Sequence, residues 1–239
     1  MSESLSFRAA GRSDVGLVRN NNEDSGFIGK HFLLVADGMG GHAAGELASS
    51  TTVAIVAQVD NSKEKLEDLE SKLIEIPKII TKELKNAIIK DSSRAGMGTT
   101  LTAAVIQENQ LKVSYVGDSR AYLVRNKQIS RITKDQTYIQ SLIDNNEITE
   151  SEAKNHPQKS LLLQAIDGIT ESIPVITSTE ILENDKIILC SDGLTNVVTD
   201  LNSTNGTFLG TERVQELIVE DTITFRVGVT EIKIVSETR

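Results

Sequence analysis

Three aspartates follow apolar runs of strand-like composition: Asp37 in "LLVADG", Asp118 in "SYVGDS" and Asp192 in "IILCSDG". Each run carries its carboxylate to a strand end, and strand ends of one sheet lie near one another. Hard divalent cations such as Mg²⁺ and Mn²⁺ take several oxygen ligands and keep some of their waters. Three carboxylates with the Gly38 carbonyl supply such a set. Two ions roughly 3.5–4 Å apart would acidify a water molecule and clamp an in-line displacement at phosphorus. The competing reading is three unrelated turns, because Asp and Gly dominate turns. A further polar run, "RNNNED" (Arg19 to Asp24), is dense in side chains that hold phosphates or hydrated metals.

The elements that must position these groups can be read from periodicity. "FLLVADGMGGHAAGE" reads as strand, tight glycine loop and helix start. Asp-Gly alone would suit a hairpin, but the next residues recur at the helical period and predict a helix over Gly45 to about Asp60. The longer run "FRAAGRSDVGLVRNNNEDSGFIGKHFLLVAD" reads as strand, polar loop and strand, with "RNNNED" in the loop. A second helical stretch spans Ser62 to Lys90, and Pro77 is expected to break or kink it. From Gly98, "GTTLTAAVIQ", "LKVSYVGDS", "AYLVRN" and "QISRIT" are short β-branched runs separated by polar turns, an antiparallel meander. "QTYIQSLIDNNEITESEAKNHPQKSLLLQAI" returns to helix, with Thr149 and Glu152 at capping-box spacing. Strands near Ile173–Ile181 and Lys186–Cys190 close the pattern. The class is α+β, with helices segregated from antiparallel sheets.

Composition narrows the chemistry. The 239 residues hold 38% hydrophobic but only 3% aromatic side chains, so the core must be aliphatic. A net charge of −9 argues against nucleic acid or an anionic membrane as the main partner. The single cysteine, Cys190, excludes an internal disulfide and fits a reducing compartment. No leader-like apolar segment opens the sequence, and no run of about 18 apolar residues could span a bilayer, so a cytoplasmic protein is expected. Cysteine-dependent phosphatase chemistry needs an arginine six residues after the thiol, and position 196 is Asn. No P-loop motif occurs.

Five ordered motifs, "GLVRNNNED", "VADGMGGHAAGE", "GMGTTLTAAVI", "VGDSRAYLVR" and "CSDGLTNVV", closely resemble the bacterial metal-dependent protein serine/threonine phosphatases (protein phosphatase type 2C family) over residues 6–200. The resemblance implies two antiparallel β-sheets packed as a sandwich, flanked by helices, with two Mn²⁺ or Mg²⁺ ions at one end. It implies hydrolysis of phosphoserine and phosphothreonine in proteins phosphorylated by a cognate kinase, by a monomeric enzyme. By the same resemblance, Asp37 bridges both metals, Gly38 offers its carbonyl, and Asp192 binds the first metal. Glu23 and Asp24 serve the second metal, directly or through water. Asp118 helps hold a third, weaker ion, and Arg19 grips substrate phosphate, a task suited to a guanidinium fork. His42 could act as general acid, its ordinary pKa being near 6.5, or could brace the Gly40-Gly41 loop. "GMGTT" matches tight packing under the site, and Asp144–Leu163 matches a mobile flap beside the cleft.

The pattern breaks after residue 200. The family's Gly-x-Asp-Asn ligand motif is absent. Instead, "DLNSTNGTFLG", "DTITFRVG" and "TEIKIV" resemble the C-terminal half of a forkhead-associated domain, a phosphothreonine reader, with Asn205 in its "NGT". Two units are therefore expected, a C-terminally truncated phosphatase domain (1–200) and a partial β segment (201–239). Asp221 is a candidate substitute for the missing ligand. A metal-impaired pseudophosphatase, a phosphopeptide-binding module and a non-functional chimera are the alternatives to an active enzyme.

Overall fold

The computed structural model describes residues 5–15, 20–41, 43–62, 68–126, 128–153 and 156–196, and beyond them the backbone of short strands at 198–199, 207–209, 212–214, 216–217, 223–227 and 230–234. In chain order the elements are β1 (Asp24–Ile28), β2 (Phe32–Met39), α1 (Ala43–Asp60), α2 (Leu69–Lys90), β3 (Gly98–Thr99), β4 (Leu101–Gln107), β5 (Gln110–Val116), β6 (Arg120–Arg125) and β7 (Gln128–Arg131). Then come α3 (Tyr138–Asp144), α4 (Glu150–Ala153), β8 (Val175–Glu180), β9 (Lys186–Cys190) and α5 (Asp192–Asn196).

One antiparallel sheet runs β1-β2-β4-β5-β8, with β3 also on β2; the second runs β7-β6-β9. Strand alternation decides which side chains face which layer. Phe32, Leu34, Leu101, Ala103 and Val105 point to α1 and α2, where they meet Ile55, Val56, Leu73, Ile76, Ile80 and Leu84. The opposite face of the first sheet, with Leu33, Ala104, Leu111 and Val113, packs on Ala121, Leu123, Ile187 and Leu189 of the second. Helices cover one side and a second sheet the other, the α+β architecture expected.

The β-rich run from Gly98 is a meander that changes layers. β4 and β5 belong to the first sheet and β6 and β7 to the second, so the chain crosses between them at Gly117-Asp118-Ser119. Gly117 has φ +102°, and a Cβ there would stand 2.7 Å from the Thr100 side chain. Only glycine fits that crossing without strain.

Three local expectations are corrected. α2 is not broken at Pro77; it runs unbroken from Leu69 to Lys90. Proline in a helix interior costs about 3 kcal/mol. Leu73, Ile76, Ile80 and Leu84 are fully buried on the same helix, each worth roughly 1.5–3 kcal/mol, so burial outweighs the defect. Residues 5–15 form no strand, although Leu5 and Phe7 pack against the inter-sheet core. A strand needs a ladder partner, and none is formed by the described residues there. The first strand instead begins at Asp24, inside the run read as loop. Lastly, among the described residues of 136–166 helix is confined to α3 and α4, because the chain doubles back: the Tyr138 amide donates to the Leu161 carbonyl and the Leu163 amide to the Gln136 carbonyl, each at 2.8 Å. The capping box is formed, with the Thr149 amide donating to Glu152 and the Glu152 amide to the Thr149 hydroxyl.

Asp60, at the end of α1, is buried and accepts the backbone N–H groups of Lys30, His31 and Phe32 at 2.7, 2.8 and 3.3 Å. This ties α1 to the turn of the β1–β2 hairpin and fixes its register. After α5, β10 (Val198–Thr199) pairs with β13 (Glu216–Leu217). β11 (Thr207–Leu209), β12 (Glu212–Val214), β14 (Ile223–Val227) and β15 (Thr230–Ile234) form an antiparallel sheet ordered β12-β11-β14-β15. No helix among the described residues is long and apolar enough to cross a membrane.

Candidate metal centre

Asp37 is the sixth residue of β2. Counting by twos from Leu33, it lies on the face turned to the second sheet, whereas Phe32, Leu34 and Ala36 are buried toward the helices. In the hairpin register Asp24 is its direct cross-strand partner. Directly opposed residues of an antiparallel pair share a face, and like charges there destabilise the sheet. The fold thus forces together two carboxylates that would otherwise repel. Asp24 is further held by the Ser191 hydroxyl, which donates to its Oδ2 at 2.6 Å.

Asp192 opens α5 directly after β9, and Asp118 lies in the crossing from β5 to β6. One carboxylate therefore comes from each of β1, β2, the crossing and the end of β9, at the end of the seam between the sheets. Asp37 is pushed up to about 8, by burial first, then by repulsion from Asp24, Asp192 and Asp118. Asp118 is pushed up to about 6 by burial and by Asp192 and Asp135, against the pull of its own backbone amide and Arg120.

Glu23 sits behind this group, against α1. Its carbonyl accepts the Gly38 amide at 3.1 Å and the Ser49 hydroxyl at 2.6 Å. A Cβ on Gly38 would collide with the Gly45 carbonyl, and one on Gly45 with the Glu23 carboxylate. The glycines of "DGMGGHAAGE" thus let the helix start close upon the strand end and leave room for the acid.

The structure brings Asp24, Asp37, Asp118 and Asp192 together, with Glu23 and Gly38 adjoining. Arg19, His42, Asn205 and Asp221 lie outside the described residues. Cys190 ends β9, buried, and burial pushes its thiol up to about 11, as befits a packing residue. His156 packs tilted against the Tyr138 ring. Sequence reasoning missed Ser191, the hydroxyl on Asp24, and Thr100 and Ser119, which hydrogen-bond around the Asp37 backbone and behind Asp118. Their signal was adjacency, since each lies beside an aspartate or inside "GMGTT".

The donor set fits a hard divalent cation. Burial and the charges of Asp24, Asp192 and Asp118 all push Asp37 toward protonation, and a bound cation would offset that repulsion. Among the described residues no three acidic, histidine or cysteine side chains close on one ion unaided. Ions that keep part of their water shell and accept a backbone carbonyl do not require such a cage.

Comparison with known proteins agrees with this arrangement. The family model described as Protein phosphatase 2C matches residues 3–141. The serine/threonine protein phosphatase PstP of Mycobacterium tuberculosis is 44% identical over 196 residues, 82% of this chain. The serine/threonine phosphatase stp of Listeria monocytogenes is 36% identical over 196 residues, 78% of this chain and 77% of its own length. The crystal structure of the mycobacterial phosphatase PstP/Ppp superposes with a TM-score of 0.76 over 82% of this chain and 83% of that one. The catalytic domain of PstP in complex with 2 manganese ions gives 0.70 at 42% identity, over 77% and 76%. The chain spans 38% of the length of the mycobacterial protein it matches.

Proposed function

Because the chain belongs to the protein phosphatase 2C family, we propose that it hydrolyses phosphoserine and phosphothreonine in proteins at a centre of two Mn²⁺ or Mg²⁺ ions. The observation that carries this reading is the face-to-face pair Asp24 and Asp37, joined by Asp118 and Asp192 at the end of the inter-sheet seam. Bound there, divalent cations would supply charge to neutralise phosphoryl oxygens and would lower the pKa of a water molecule.

The chain's own groups have separable tasks in this reading. Asp37, repelled by acids on either side, would hold both ions, with the Gly38 carbonyl beside it. Asp192 serves one ion, Asp24 and Glu23 the other, and Asp118 a third, weaker site. The Ser191 hydroxyl orients Asp24. Arg19 holds the substrate phosphate, and His42 donates a proton to the leaving alkoxide or braces its loop. The substrates are phosphorylated proteins, products of a serine/threonine kinase in the same cytoplasm, and the enzyme acts as a monomer without nucleic acid or membrane. The mycobacterial and listerial relatives, both named serine/threonine phosphatases, support the reaction class.

The test is phosphate release from p-nitrophenyl phosphate over a Mn²⁺ series. Turnover that rises with Mn²⁺ and disappears in Asp37→Ala supports the reading; metal-independent turnover, or full activity in the variant, refutes it.

A second reading is favoured by one sequence feature, the missing Gly-x-Asp-Asn ligand. In it the chain is a metal-impaired pseudophosphatase, with residues 201–239 a fragment related to the forkhead-associated fold; Asp221 as a stand-in ligand would instead favour the first reading. Binding of phosphothreonine peptides with no turnover at any Mn²⁺ concentration would select it. Failure of both binding and turnover would leave a non-functional chimera.

A further inference from the structure

Between Asp37 and Asp118 stands a chain of buried hydroxyls. Thr100 and Ser119 are each 1% exposed. The Thr100 hydroxyl accepts the Asp37 backbone N–H at 2.9 Å and lies 2.7 Å from the Ser119 hydroxyl. The Thr100 amide donates to the Asp37 carbonyl at 2.9 Å, and the Thr99 hydroxyl donates to the same carbonyl at 3.1 Å. Both backbone polar groups of Asp37 are thus engaged by "GTT". Ser119 follows Asp118 directly, and its carbonyl accepts the Thr102 hydroxyl at 2.8 Å. On the other side of Asp118, the Gly117 amide donates to the Gln136 side chain at 2.7 Å and the Gly117 carbonyl accepts the Gln136 amide at 3.0 Å.

The consequence is geometric. Asp37 belongs to the first sheet, and Asp118 to the crossing that leads into the second. Their separation is not set by any one strand, and most of the contact between the two layers is apolar packing, which is non-directional. The Thr100–Ser119 contact is directional, buried, and placed between the two carboxylates' backbones. We propose that these two hydroxyls are positioning residues that hold Asp37 and Asp118 in register across the seam and so set the affinity for divalent cation. The inference rests on the metal-centre reading above and adds to it a pair of residues that touch no ion.

Valine at position 100 keeps the shape of threonine and removes the acceptor. It leaves the Asp37 N–H and the Ser119 hydroxyl buried without this partner. Removing groups that orient metal ligands weakens metal affinity about 10–100-fold. The experiment is calorimetric Mn²⁺ binding to the chelator-stripped full chain, with no substrate present. Thr100→Val should bind about 10–100-fold more weakly and Ser119→Ala about 10-fold more weakly. Thr100→Ser, which restores the hydroxyl, should return to wild type. The double variant Thr100→Val/Ser119→Ala should be no weaker than Thr100→Val alone, since the two act as one unit.

Melting in EDTA shows whether each variant is folded, and Ser119→Ala carries the test if Thr100→Val is not. Wild-type affinity in Ser119→Ala and Thr100→Val overturns the inference, as does a Thr100→Ser variant as weak as Thr100→Val, which would make packing the cause. A wild-type chain that binds no Mn²⁺ overturns the metal centre itself, and this inference falls with it.

Discussion

Replacing Asp37 with Asn should stabilise the metal-free protein while abolishing its response to metal. The pKa of Asp37 rises from an ordinary 3.8 to about 8 in the fold. A carboxyl raised in this way favours the folded state fully only below pH 3.8; the contribution erodes as pH climbs and is lost above about 8. Asp118 adds a smaller effect of the same sign, complete by about pH 6. At pH 7 the distance from 3.8 is 3.2 pH units, which at 1.36 kcal/mol each is roughly 4 kcal/mol. Solvent reaches the half-buried cluster and screens it, so roughly 2–4 kcal/mol is the working figure. Asparagine keeps the shape and carries no charge to repel Asp24, Asp118 or Asp192. For a chain of this size 1 kcal/mol shifts Tm by about 2–4 °C, so Asp37→Asn should melt roughly 10 °C above wild type in EDTA at pH 7. The gap should widen between pH 5 and 8. Excess Mn²⁺ should raise the wild-type Tm and leave the variant unmoved. The assay is differential scanning fluorimetry across pH, with and without metal. A variant that melts at or below wild type in EDTA at pH 8, or a gap that does not grow with pH, would refute the electrostatic reasoning.

Two further outcomes follow from groups away from the acids. Asp60→Asn removes the charge and turns one acceptor oxygen into an NH2 donor facing backbone N–H groups, and should lower stability by about 2–3 kcal/mol. A urea midpoint that falls with unchanged slope would show it, and an unchanged midpoint would remove Asp60 as the hairpin latch. Cys190, buried and with its thiol pushed up to about 11, should resist iodoacetamide in the native protein at pH 7.5. Rapid labelling accompanied by loss of any Mn²⁺-dependent phosphate release would reopen a thiol role.

Much of the site was legible because its signals are local. Asp37, Asp118 and Asp192 each follow an apolar run, and strand periodicity suffices to put them at strand ends. The role of Asp24 was harder to see. In sequence it closes a polar run, and only the register of β1 on β2 shows that it faces Asp37. "FRAAGRSD" reads as part of a strand, yet a strand exists only where a neighbour accepts its hydrogen bonds. Pro77 misled in the opposite direction: its local penalty is real, but the burial of Leu73, Ile76, Ile80 and Leu84 is a tertiary quantity that no window of sequence contains. The change of layer at Gly117 was invisible for the same reason. A meander of even turns does not announce which strands share a sheet.

The crossing at Gly117-Asp118-Ser119 has a consequence for assembly. Acids that must meet come from positions 24, 37, 118 and 192, and the last of them sits beyond β9, the final strand of its layer. A growing polypeptide can build the hairpin and its helices early, but it cannot gather the whole quartet until both layers have closed on each other. Any ion captured at that place would act as a rivet through the two plates, and removing it would let them part first at that end.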